Sequence, residues 1–185
     1  MVTFSNQIKV NNFQIKSTEP IYSNQSWTGQ RIIRSTGIQY YQIQFQLSFN
    51  IKERAEVTKF IAEYSQGKPF QMSLGHLSTY TGTQTGAVTV QTSVNKGSMI
   101  IPVSTNTLAV GEWIQFTNHK KIYRIVEQSA SSITIFPALN SSVQASEPLF
   151  YDNLVIEAVL DTENDYSMPV ETVSVLQLKA MEHIT

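Results

Sequence analysis

The chain has no cysteine among its 185 residues. That excludes disulfide scaffolds, thiolate zinc sites and cysteine nucleophiles. Charge is scarce too: Asp, Glu, Lys and Arg make up 15% of the sequence, against about 25% in ordinary soluble domains. With 13 basic and 14 acidic side chains, the net charge is -1. This lacks the basic excess that a nucleic-acid-binding protein usually carries. The nearest basic run, His119-Lys120-Lys121, falls in an expected turn. No apolar run approaches the length of a membrane span. The first residues, Met1-Val-Thr-Phe-Ser-Asn6, have no basic stretch followed by an apolar run, so a soluble chain without a secretory leader is expected.

The constellations of catalysis are also missing. His76, His119 and His183 are isolated, with no HxH or HExxH spacing. Gly82-Thr-Gln-Thr-Gly86 has no lysine and reads as a flexible joint. Asp161, Glu163 and Asp165 form the tightest acidic cluster but lack the central glycine and closing glutamate of a calcium loop, so a solvated turn is expected. The expectation is a non-enzyme with no cofactor and no metal.

Uncharged polar residues take the place of charge: Ser, Thr, Gln and Asn number 65. Their most ordered use is in Ile38–Phe49. Tyr41, Ile43, Phe45, Leu47 and Phe49 alternate there with Gln42, Gln44, Gln46 and Ser48. Period-two alternation is a strand with one buried face. The other face is carpeted with amides, which suits the outside of a sheet or a surface that meets another protein. Asn50 and Glu53 then make a capping-box pattern. Val57, Phe60, Ile61 and Tyr64 follow at helical spacing, with Gly67 and Pro69 as stop signals. The spacing predicts a helix over about 51–66 whose apolar stripe packs on the strand's apolar face.

Elsewhere the signals are for strands. Arg31-Ile-Ile-Arg34 is a short one, expected to form a hairpin with the alternating strand through Ser35-Thr-Gly37. Trp27 is expected as a core or half-buried anchor. Five short strand candidates lie within 87–136, and longer alternating runs close the chain, Leu154–Leu160 and Val173–Ala180. The fold class expected is mainly β with one helix. A host of 1–83 plus 148–185 is interrupted by a small β-barrel-like module at 84–147.

The order of these features resembles the small minor-tail or distal-tail proteins of tailed bacteriophages. Trp27–Arg34 matches their aromatic and basic loop, Tyr41–Phe49 their long strand, and Glu53–Tyr64 with Gly67-Lys-Pro-Phe70 their helix and exit. Gly111-Glu-Trp-Ile114, His119-Lys-Lys-Ile-Tyr123 and Pro137-Ala-Leu139 are similar to an inserted β module of some members, and Leu154–Asp161 to the return strand. The resemblance implies a tail-tube-like β-sandwich or barrel that forms a ring, commonly of six copies. The ring would lie in the virion at the tail tip or baseplate, between the tube protein and the hub, with DNA only passing through its lumen and no membrane contact. Gln42, Gln44 and Gln46 would then face a lumen or a neighbouring subunit. The alternative is a non-catalytic carbohydrate-binding protein that uses Trp113 and Tyr123.

Overall fold

The structure is a computed structural model and describes residues 1–169 and 171–184. It is mainly β with one helix and several sheets. The chain divides into two compact units, 1–72 with 157–183 and 73–156.

In the first unit, β1 (Lys9–Thr18), β4 (Tyr40–Asn50), β13 (Val173–Glu182), β12 (Val155–Leu160) and β5 (Phe70–Ser73) form a five-stranded sheet in that order. Alternation in β4 is realised in full: Tyr41, Ile43, Phe45, Leu47 and Phe49 are buried, and Gln42, Gln44, Gln46 and Ser48 are half-exposed. Both flanking strands run antiparallel to it. Directly opposed residues share a face. Leu47 thus meets Leu176 and Phe45 meets Leu178 on the inner side, while Gln46 meets Gln177 and Gln44 meets Lys179 on the outer side.

The helix α1 runs Arg54–Tyr64, shorter than the sequence suggests. Residues 51–53 form a turn instead, closed by the Glu53 amide donating to the Asn50 carbonyl at 3.0 Å. Glu53 therefore stands at the cap position, and its side chain makes no capping bond. The Asn50–Glu53 capping box is not formed, because the residues meant to make it are still turning out of β4. At the other end Gly67 takes φ +84, the left-handed conformation that lets a chain leave a helix without a Cβ clash. Val57 and Phe60 are buried, and Ile61 and Tyr64 half-buried. Phe60 makes ring contacts with Phe4, Tyr64 and Phe70 at 5.2–5.4 Å. The N-terminal segment thus helps to cover the helix, with Glu56 accepting the Ser5 amide at 2.8 Å.

In the second unit, β6 (Val88–Thr89), β11 (Pro148–Phe150), β8 (Trp113–Phe116), β9 (Ile122–Ser129), β10 (Ser132–Phe136) and β7 (Ile100–Pro102) form a six-stranded sheet in that order. Its two ends are themselves joined. Val90 bridges Val103, the Gln91 amide donates to the Pro102 carbonyl at 2.9 Å, and the Ser104 amide donates to the Thr89 carbonyl at 2.8 Å. Joining the ends leaves no unpaired edge there to recruit another strand. Ile101, Ile114, Phe116, Tyr123, Ile125 and Ile135 lie in its core with 2% exposure or less. The sequence places the junctions between segments at 83/84 and 147/148, whereas the compact units meet at 72/73 and 156/157. The second shift has a local cause: β11, just past Glu147, pairs with β6 and β8 of the second unit.

Phe45 is wholly buried at the centre of the first unit's sheet and stacks on Phe13 with ring centroids 6.4 Å apart. Truncating such a ring removes its transfer energy and leaves a cavity. Phe45→Ala should lower the unfolding free energy by about 3–5 kcal/mol in urea titrations. Gln44→Ala, one residue away on the outer face, should stay within about 0.5 kcal/mol of the parent.

Candidate interaction surfaces

The outer face of the first unit's sheet is built rung by rung. Lys9 stands opposite Ser48, Asn11 opposite Gln46, Gln14 opposite Gln44 and Lys16 opposite Gln42. Beyond β4, Val175, Gln177, Lys179 and Met181 continue the same rungs. Gln42, Gln44 and Gln46 therefore sit in the middle of this face. A β-bulge lies between Asn11 and Gln14, with Asn12 at φ +49, a conformation that asparagine tolerates better than most residues. Its side chain donates to Gln46 Oε1 at 2.8 Å. The extra residue turns Phe13 inward onto Phe45 and resets the alternation behind it. Over the face lies a shallow depression of about 350 Å³, lined by Gln14, Lys16, Gln42, Gln44, Asp161 and Lys179 among others.

A second surface is one that the sequence pattern did not reveal. Arg31–Ser35 (β3) does not pair with β4; it pairs antiparallel with Ile21–Gln25 (β2) in a separate two-stranded sheet. The partner of β4 on that side is β1, which holds it over eight register pairs. Every residue of β2 and β3 is exposed. Ile21, Tyr22, Ile32 and Ile33 are each more than half exposed, and Trp27 at the tip is fully so rather than part of a core. The turn closes through the Gly29 amide donating to the Ser26 carbonyl at 2.9 Å, with Gly29 at φ +83. Arg31 and Arg34 are both exposed and are the only charged residues of the ribbon. The signal available in the sequence was the isolated run Arg-Ile-Ile-Arg, which reads equally as an edge strand.

In the second unit, Tyr123 is completely buried and Trp113 half-buried, so the Tyr123 ring offers no face for stacking on a ligand. The Tyr123 hydroxyl accepts the Asn140 amide at 3.0 Å and lies 2.8 Å from His119 Nε2. His119 also packs on Phe116 with centroids 5.7 Å apart. Buried Glu147 accepts the Asn118 backbone amide at 2.8 Å, the Asn118 side-chain amide at 2.6 Å and the Gln144 amide at 2.9 Å. The run His119-Lys120-Lys121 is thus not a basic patch. His119 is half-buried, Lys121 is buried and Lys120 alone is exposed.

Among the described residues, no group of three or more His, Cys, Asp or Glu side chains is placed to hold a metal. In the acidic turn, Asp161 Oδ1 accepts the Glu163 amide at 3.0 Å, and Asp165 accepts the Ser167 amide and hydroxyl at 2.9 and 3.0 Å. These bonds, the backbone amide first, hold the Asp165 carboxyl below its usual range. The Asp161 and Asp165 carboxylates are each engaged by their own turn. His183 stands apart from that turn, 3.3 Å from Glu157.

Burial holds the His119 imidazole below its ordinary value of 6.5, with the Glu147 carboxylate pulling weakly the other way. As pH falls, the unfolded chain takes up this proton before the folded one does. The stabilisation is therefore complete above 6.5 and is lost as pH drops through that value toward the depressed folded one. Urea midpoints measured from about pH 8 to about pH 5 should fall for the parent and fall less steeply for His119→Gln. Compared with known proteins, the chain matches no protein-family model and no curated protein.

Proposed function

We propose that this chain is a structural subunit of a bacteriophage tail, a ring-forming adaptor that joins the tail tube to the tail tip or baseplate hub in the virion. The observation that carries this reading is the β2–β3 ribbon. An isolated two-stranded hairpin is at best marginally stable in water, and this one exposes isoleucine on both faces with tyrosine and tryptophan beside them. Such a ribbon is suited to burial against a partner.

A second copy of the chain fits by charge. The ribbon carries Arg31 and Arg34 with no acidic residue, which leaves 11 basic against 14 acidic side chains, a net of -3, for the rest of the chain. Head-to-tail contact between a basic arm and an acidic body repeats from copy to copy and closes into a ring when the rotation allows. In this reading the five-stranded sheet and α1 form the tail-tube-like domain, and Gln42, Gln44 and Gln46 face the lumen or the neighbouring subunit. The second unit serves as the inserted module and contacts other tail-tip proteins, and no chemistry is catalysed.

Native mass spectrometry and light scattering test the reading. The parent should form a closed oligomer, with six copies expected, either alone or when co-expressed with its neighbouring tail proteins. Ile21→Asp with Ile33→Asp should give a folded monomer, since exposed positions tolerate such changes within about 0.5 kcal/mol each. A parent that stays monomeric in both settings sinks the proposal.

A further inference from the structure

The outer face of β1, β4 and β13 has a charge pattern that the sequence does not display. Lys9 and Lys16 lie an odd number of residues apart, so in a regular strand they would point to opposite sides. The bulge at Asn12 adds one residue and puts both on the outer face, opposite Ser48 and Gln42. Lys179 joins them from the far side of β4, in the rung Gln14–Gln44–Lys179. None of the three ammonium groups has an ion pair or hydrogen bond with another described residue. No carboxylate points outward from these three strands: the only acidic residue in them, Glu182, is buried and accepts the Tyr41 amide at 3.0 Å. Asp161 is the acidic residue that lines the depression, and its carboxylate is engaged by the Glu163 amide.

Between the cations lie Gln14, Gln42, Gln44, Gln46 and Gln177. Their amide N–H groups donate without adding charge, and Gln46 already spends its carbonyl on Asn12. The strands of Lys16 and Lys179 are about 10 Å apart, and Lys9 lies roughly 20 Å from Lys16 along β1. Spread cations with neutral donors between them, and no apolar centre, are unlike a protein–protein hot spot, which needs a desolvated apolar core. They suit a polymer with evenly repeated negative charge. A face three strands wide is too broad to enter the major groove, which admits at most a two-stranded ribbon, so contact would be with phosphates.

We infer that this face binds the phosphodiester backbone of duplex DNA without regard to base sequence. The inference rests on the ring reading for its setting, because it turns the glutamine face toward a lumen and not toward a neighbour. The chemistry itself is a property of the single chain.

Fluorescence anisotropy of a labelled duplex, titrated with the full chain over a range of salt, tests it. Three lysine–phosphate contacts predict a log–log salt slope of about -2.7, at -0.9 per contact. Lys9→Gln/Lys16→Gln/Lys179→Gln should lose the binding, and Gln42→Lys/Gln44→Lys/Gln46→Lys should tighten it and steepen the slope. Lys52→Gln/Lys59→Gln, at and on the helix, should leave both unchanged. Absence of binding by the parent at low salt overturns the inference, as does binding by the triple glutamine variant at the parental level. Equal competition by polyglutamate assigns the face to an acidic protein and overturns it too. Native mass spectrometry of the chain, alone and co-expressed with its neighbouring tail proteins, separates the two readings: a chain that is monomeric in both settings and binds DNA removes the ring alone, and a ring indifferent to DNA removes this inference alone.

Discussion

The pairing of β4 on both of its edges is the constraint on which the first unit depends. A strand with neighbours on each side cannot slip by one residue without turning Phe45 and Leu47 out to solvent and three glutamines into the core. Each buried aliphatic or aromatic side chain of that size contributes about 1.5–3 kcal/mol. Five of them in one strand fix the register of β1 and β13 as firmly as that of β4. The outer rungs follow from the inner ones, since opposed residues share a face.

That coupling explains why the chain spends a bulge in β1. Phe13 is needed on the inner side, stacked on Phe45, while Asn11 and Gln14 remain outside. Only an extra residue satisfies both, and asparagine accepts the left-handed backbone it requires. A packing demand on one face thereby sets the charge pattern of the other. The surface lysines are arranged by the core.

The two surfaces that stand out differ in kind. The β2–β3 ribbon carries apolar side chains on both faces and two cations, and is held by its own ladder and turn. The sheet face is rigid, polar and backed by the core. An arm and a wall of this sort suit a protein whose contacts are extended and repeated. The closed sheet of the second unit is self-contained by comparison: its ends are bridged, and Glu147 and the Tyr123 hydroxyl take up the amides of neighbouring turns.

Local pattern was enough to determine the alternating strand, its buried face, the existence of the helix and the strands within 87–136, because side-chain direction in a strand or helix depends only on spacing along the chain. The start of the helix was not legible, since a capping box can be written in residues that are still part of a turn. Nor was the partner of β3, because pairing depends on which edge is left free, and β1 occupies the edge of β4. The exposure of Trp27 follows from that. The convergence of Lys9, Lys16 and Lys179 was decided only by tertiary structure: one bulge and a register spanning more than 130 residues place them on a single face, and neither can be read from composition or spacing.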